Sequence, residues 1–219
     1  MDNTYRPLVP VNPKDLDSVA LALLNGTQSD EDKRDRPPAP SAIPNREQYI
    51  ILPTKIHGKY SYPDTLVAMD LTHLGKTWYD THKLLAAEGN KMLTICQFVD
   101  FINLIKTGRA FNGAGNQVPS SRLNEILDEI MTVKSPWRSE WLDAKFEKKG
   151  GIIGIGSDMY INYEHSVNQA GDLICGKSEK LESYLDSHKT PGIDAEQWLR
   201  DANNYGIPKP TTSNGSLYY

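Results

Sequence analysis

The chain has 219 residues, of which 38% are hydrophobic and 24% are charged, a balance typical of a folded domain carrying some polar, disordered sequence. Its formal net charge of −4 provides no overall basic field, which argues against nucleic acid as the main partner. The two cysteines, Cys96 and Cys175, lie too far apart in the sequence to suggest a disulfide framework or a clustered metal site. We therefore expect no cofactor and no metal.

The first residues contain no basic region followed by an apolar run, so they do not resemble a signal peptide. No stretch approaches the roughly 18 consecutive apolar residues of a membrane span. The expected location is the cytoplasm, or a particle assembled inside the cell, with no membrane partner.

Residues 1–26 are predicted to form an N-terminal arm that starts extended and continues as a short helix. Asn12 followed by Pro13 is typical of an N-cap with proline at the first helical position. A short apolar stripe follows, formed by Leu16, Val19 and Leu23. Because so short a helix is marginal alone in water, it should dock on the main domain or on a partner. These three residues are therefore candidate interaction residues.

Residues 27–45 have the composition of a linker, charged at first and then rich in proline. A strand is predicted over 47–57, and Tyr60 and Tyr62 should continue it after a turn at Gly58. The arm would then be tethered to a core domain beginning near residue 46.

Two helices are predicted next. The first covers 64–89, with Asp64 as its N-cap and an interruption near Gly75. The second starts at a capping box formed by Thr94 and Gln97, and ends at Gly108. Because only a short connection separates them, the two helices should pack as antiparallel neighbours.

This region holds the best candidates for catalytic chemistry. An Asp–His pair on a helix face can act as a general acid and base or supply metal ligands. The weak candidates are Asp70, His73, Asp80 and His82, to which His57 and His165 would be added from neighbouring strands. The favoured and simpler interpretation is that His73 and His82 are half-buried residues bonded to their neighbours.

Further helices are expected from the remaining sequence. One is capped by Ser121, and another begins after Ser135 and Pro136 and places Trp137 and Trp141 on one face. Those tryptophans are candidate interface anchors, although a role in the core is favoured. A β-hairpin is predicted over 150–165, and the last two helices start at Ser178 and at a capping box opened by Asp194. The tail, 208–219, should be mobile.

Together these patterns predict an α+β fold with a single, mostly helical core domain over 46–207. A small antiparallel sheet, built from strands near 48–57 and 151–165, an extended N-terminal arm and a C-terminal tail complete it. The favoured function is non-enzymatic: an interaction or assembly protein that self-associates through its arm. The alternatives are a nucleic-acid-associated regulatory protein and an enzyme with an Asp/His site on the 64–89 helix.

Overall fold

The computed structural model describes residues 2–4, 7–10, 45–58, 60–132, 138–150 and 158–180. This part of the chain contains three α-helices, namely α1 (Trp78–Ala87), α2 (Ile95–Lys106) and α3 (Ser120–Met131), and a 3₁₀ turn at Arg46–Gln48. It also contains thirteen short strands: β1 (Asp2–Thr4), β2 (Pro7–Pro10), β3 (Tyr49–Leu52), β4 (Lys55–His57), β5 (Tyr60–Tyr62), β6 (Thr65–Ala68), β7 (Lys91–Met92), β8 (Arg138–Glu140), β9 (Lys145–Lys149), β10 (Asp158–Tyr163), β11 (Ser166–Val167), β12 (Leu173–Ile174) and β13 (Lys177–Lys180). None of the described helices is long and apolar enough to cross a membrane.

The strands form several small sheets. The largest has the order β3-β6-β2-β7, with every neighbouring pair antiparallel. A three-stranded antiparallel sheet has β10 between β13 and β9. Smaller pairs are β4 with β5, β11 with β12, and β1 with β8, of which only the last is parallel.

Helix α2 lies at the centre of the hydrophobic core. Its capping box is confirmed: the side chain of Thr94 accepts from the backbone N–H of Gln97, whose own side chain accepts from the backbone of Thr94. Nine of its twelve residues are buried, and Phe101 and Ile102 are fully inaccessible to solvent. Gly108 follows the helix with φ +69°, as expected of a residue that ends a helix in the left-handed region.

The prediction of a mostly helical domain is wrong, because short strands are at least as prominent as helices among the described residues. The predicted sheet is also divided, since β3 and β10 belong to different sheets. The large error lies at 64–89, where only α1 is helical and Thr65–Ala68 is instead strand β6. Asp64 does not cap a helix; its carboxylate accepts a hydrogen bond from the backbone N–H of Thr54.

Helices α1 and α2 are not the expected antiparallel pair. Helix α1 packs on β7, β11 and β12, whereas α2 packs on α3 and β3. Strand β7 occupies the short connection between the two helices and joins the four-stranded sheet. The connection therefore redirects the chain onto a sheet instead of closing a helical hairpin.

Other helix predictions fail where strands are found. Strands β8 and β9 replace the helix expected after Ser135, and β13 replaces the start of the one expected at Ser178. Helix α3 starts at Ser120 after Pro119, without the side-chain cap expected from Ser121. The second strand of the 150–165 hairpin is confirmed as β10, whose described partners are β9 and β13; residues 151–157, where the first strand was predicted, lie outside the described residues.

The N-terminal residues contribute directly to the sheets. Strand β2 lies between β6 and β7, and β1 pairs with β8. The arm helix, the linker, the helix at Asp194 and the tail lie outside the described residues.

Candidate functional site

The four residues predicted as catalytic candidates do not meet in one place. Asp70 is exposed and forms an ion pair with Arg122. The Nε2 atom of His73 lies 2.7 Å from a carboxylate oxygen of Glu88. Asp80 is also exposed and accepts a hydrogen bond of 2.7 Å from the hydroxyl of Thr77, which caps α1. These three residues therefore act in separate surface interactions.

His82 is the exception, because it is buried and meets two other ionisable side chains. Its Nε2 atom lies 3.6 Å from Oδ1 of Asp143. The Nδ1 atom of His165 lies 2.5 Å from the same oxygen, and the backbone N–H of His165 donates to Asp143 Oδ2 at 3.0 Å. All three side chains are at most 5% exposed. We call this group the His82–Asp143–His165 cluster.

Three separate segments position the cluster. On α1, Trp78 and His82 are four residues apart and therefore share one face of the helix. The backbone N–H of Asp143 donates to the carbonyl of Leu93 at 2.7 Å, which fixes the loop between β8 and β9. His165 directly follows Glu164, which has a positive φ of 56° and turns the chain at the end of β10.

Trp78 covers the two imidazoles. The centroid of its ring lies 4.3 Å from that of His82 and 5.1 Å from that of His165, in edge-to-face arrangements. Its indole N–H donates to the carbonyl of Leu142 at 2.8 Å, which ties the helix to the loop carrying Asp143. The tryptophan therefore limits contact between the cluster and water.

The electrostatics of His82 set it apart within the cluster. Burial lowers the pKa of its imidazole to about 4, and the negative charge of Asp143 opposes that shift only in part. The imidazole is therefore neutral near pH 7. Its buried Nε2 atom has no hydrogen-bond partner among the described residues.

A second buried cluster surrounds Asp100 on α2. Its carboxylate accepts hydrogen bonds of 2.6 Å from the hydroxyl of Tyr62 and 2.6 Å from Nε2 of His57, and it forms an ion pair with Lys55. The thiol of Cys96 lies 4.0 Å away. We call this group the Asp100 cluster.

The Asp100 cluster contains no activated nucleophile among these neighbours. Burial, helped by the nearby Asp100 charge, raises the pKa of the Cys96 thiol to about 12, so the reactive thiolate is suppressed. Burial also raises the pKa of the Tyr62 hydroxyl, and its hydrogen bond to Asp100 raises it further. The carboxylate is satisfied by its donors, which is the arrangement expected of a structural polar group.

Of the predicted interaction residues, the structure describes only Trp141. Its indole N–H donates to the carbonyl of Lys76 at 3.0 Å, and its ring packs against the buried pair Leu85 and Met92. Trp141 is therefore a partly buried residue at the edge of this small apolar cluster, and its role as an interface anchor stays a prediction. Leu16, Val19, Leu23 and Trp137 lie outside the described residues.

Sequence reasoning missed both buried carboxylates. Asp143 is flanked by Leu142 and Ala144, and Asp100 by Val99 and Phe101, so an acidic residue between apolar neighbours was the available signal. No protein-family model, no curated protein and no solved structure matches this chain.

Proposed function

We propose that this chain is a structural assembly protein whose N-terminal strand is exchanged between copies. The observation that carries the proposal is the position of β2, which pairs with β6 on one side and with β7 on the other. The next residue along the chain that the structure describes is Asn45, so residues 11–44 form the connection. An interior strand joined to its sheet by so long a connection is suited to exchange.

The length of the connection permits exchange. Fully extended, residues 11–44 span up to about 110 Å, which exceeds the size of a domain of this length. A strand is held by backbone hydrogen bonds that are the same whether it comes from its own chain or from another. Exchange of identical elements between protomers is therefore a low-cost route to an oligomer.

The position of β2 also explains why its place must always be filled. The neighbouring strand β6 is buried at all four of its residues, and Met92 on β7 is 1% exposed. Without β2, the backbone N–H and C=O groups of β6 along that side would lose their partners. A chain that gives up its own β2 must receive one, which favours a closed pair of copies or a continuing chain of them.

A disulfide experiment tests this proposal directly. Val9 on β2 lies opposite Leu66 on β6, and residues directly opposite in an antiparallel pair have Cα atoms close enough for a disulfide. The probe is the variant Val9→Cys/Leu66→Cys, made in a background in which Cys96→Ala and Cys175→Ser remove the native thiols. The control is Ile51→Cys/Leu66→Cys, because Ile51 on β3 lies opposite the same residue of β6.

After oxidation, masses are compared on a denaturing gel and by light scattering in solution. Exchange predicts that the Val9–Leu66 bond joins two chains and gives twice the monomer mass or more. The control bond should stay within one chain, because 52–65 is a short connection. A Val9–Leu66 bond found only within monomers would refute the proposal. Deletion of residues 1–45 is a poorer test, because it removes an interior strand and can unfold the sheet.

The nucleic-acid alternative has weaker support. Three of the five lysines of the β13-β10-β9 sheet are paired with acidic residues: Lys149 lies 3.5 Å from Glu147, Lys180 lies 2.7 Å from Asp158, and Lys177 lies 3.0 Å from Glu164. Such pairs describe a mixed-charge face rather than a basic field. Retention on an immobilised polyanion at low salt, lost steeply as salt rises, would revive this hypothesis.

A further inference from the structure

We propose that the His82–Asp143–His165 cluster binds one divalent transition-metal ion, and that zinc is the ion that fits it best. The proposal is independent of strand exchange, because it rests on residues of α1, of the loop between β8 and β9, and of the turn after β10. One ligand atom from each residue lies within 4.8 Å of the other two. Two imidazoles and one carboxylate are a donor set that zinc uses in proteins.

The unpartnered nitrogen of His82 is the observation that points to a ligand. Its Nε2 atom is buried, faces the carboxylate of Asp143 at 3.6 Å, and has no hydrogen-bond partner among the described residues. If this nitrogen is unprotonated, its lone pair is repelled by the carboxylate. If it carries a proton, the N–H has been removed from water without gaining a hydrogen-bond acceptor. A cation between the two groups satisfies both.

One of the two ligand–ligand distances already suits zinc, and the other requires a small movement. Ligand atoms around a tetrahedral zinc ion lie about 3.4 Å apart, given zinc–nitrogen and zinc–oxygen bonds of about 2.0–2.1 Å. The separation of 3.6 Å between His82 Nε2 and Asp143 Oδ1 already meets this requirement. His165 Nδ1 lies 2.5 Å from the same oxygen, as a proton-sharing partner does. Metal binding at Nδ1 would require the ring to carry its proton on Nε2 instead, and would move the two atoms apart by roughly 0.9 Å.

The donor types narrow the choice of ion. Imidazole nitrogen is a good ligand for zinc and its neighbours in the first transition row, whereas calcium and magnesium prefer oxygen. The three side chains are at most 5% exposed and lie under Trp78, which leaves little access for a substrate. We therefore assign the ion a structural role, in which it joins three segments that are distant in the sequence, with a water molecule in the fourth position of the tetrahedron.

The Asp100 cluster provides a natural comparison. His57, Cys96 and Asp100 also bring ligand atoms together. There, however, the ammonium group of Lys55 already neutralises the carboxylate, and Tyr62 and His57 donate to it. A second cation would be repelled by Lys55, so only the His82–Asp143–His165 cluster is assigned a metal.

The test is metal binding by the purified full-length chain, stripped with a chelator and then dialysed against Zn²⁺ or Co²⁺. We expect one equivalent of zinc per chain by elemental analysis, a higher melting temperature with zinc, and the visible absorption of tetrahedral Co²⁺. The variant His82→Gln should lose all three signals. The matched control is His73→Asn, which removes a histidine outside the cluster at a position with φ +54°, a conformation that asparagine tolerates.

Two results would overturn the assignment. One is a wild-type chain that binds no stoichiometric Zn²⁺ or Co²⁺ and shows no change in melting temperature. The other is retention of the ion by His82→Gln together with its loss in His57→Gln, which would place it at the Asp100 cluster. If His82→Gln fails to fold, His57→Gln carries the test, because that variant should keep the ion if it is bound by the His82–Asp143–His165 cluster and lose it if it is bound by the Asp100 cluster.

Discussion

The Asp100 cluster allows a stability prediction to be worked through from its contacts. In the variant Asp100→Ala, the hydroxyl of Tyr62 loses its acceptor at 2.6 Å. Because Tyr62 is only 5% exposed, water does not replace that acceptor. A hydrogen bond to a charged group, with the donor left buried and unsatisfied, costs about 1.5–3 kcal/mol. Lys55 is 49% exposed and can return to water, so its ion pair adds at most about 1 kcal/mol. These two contributions sum to about 1.5–4 kcal/mol, and loss of the hydrogen bond from His57 adds to them.

Double-mutant cycles separate these contributions. The free energy of unfolding is measured in urea for the wild type, Asp100→Ala, Tyr62→Phe and Asp100→Ala/Tyr62→Phe. A parallel cycle uses Lys55→Met in place of Tyr62→Phe. We expect a coupling energy of about 1.5–3 kcal/mol between Asp100 and Tyr62, and below about 1 kcal/mol between Asp100 and Lys55.

The reverse order of the two coupling energies would refute the prediction. A larger coupling to Lys55 would mean that the ion pair, rather than the buried hydroxyl, dominates the cluster. A change in the slope of the urea dependence would mean that a variant had altered the unfolded ensemble or the cooperativity of unfolding. That variant could then not be compared within the cycle.

Three shorter predictions concern the helix cap, the cysteines and a close backbone approach. Thr94→Ala should lower the free energy of unfolding in urea by about 1 kcal/mol, and an unchanged midpoint would contradict the role of the capping box. Near pH 8 a thiol reagent should label exposed Cys175 but not buried Cys96, whose pKa is raised from 9.0 to about 12; equal labelling in the native state would refute this. Because that thiol holds its proton more tightly when folded, its contribution to stability should be complete below about pH 9 and decline as the pH rises towards 12. Gly176→Ala should lower the free energy of unfolding by about 1–3 kcal/mol and weaken zinc binding, because the added Cβ would lie 2.4 Å from the backbone oxygen of Glu164, next to His165. Gly171→Ala is the control: its Cβ would have free space and only its φ of +85° is unfavourable, so zinc binding should be unchanged.

The part of the fold that could be predicted from sequence is the part decided by neighbouring residues. Helix α2 was found because its cap, its apolar face and its closing glycine all lie within fifteen residues of one another. The turn at Gly58 and the strand at Tyr60–Tyr62 were predicted for the same reason, and Gly58 does turn the chain with φ +52°, although the strand predicted over 47–57 is divided and its last part, β4, pairs with β5. In both cases local conformational preference and tertiary packing favour the same structure.

The errors arose where packing between distant segments decides the conformation. Strand β6 is buried at every residue between β3 and β2, so it lacks the alternation of apolar and polar residues that marks a strand with one exposed face. Its residues were therefore assigned to a helix with the apolar residues that follow. Trp137 and Trp141 are one helical turn apart, and that spacing suggested a helix although β8 extends over Arg138–Glu140. Neither strand β6 nor strand β8 could be predicted from the spacing of residues within a single segment.

The candidate site also depends on packing between distant segments, and its role is best judged by comparing it with the Asp100 cluster. Both clusters contain a buried aspartate and at least one histidine, yet their hydrogen bonding differs. Asp100 is surrounded by donors that satisfy it, whereas the cluster around Asp143 leaves His82 Nε2 without a partner. Buried polar groups are normally paired, so an unpaired one calls for a physical reason. A bound cation supplies that reason at His82, and the charge of Lys55 makes it unnecessary at Asp100. It is therefore the unsatisfied cluster, rather than the one richer in ionisable groups, that we assign to metal binding.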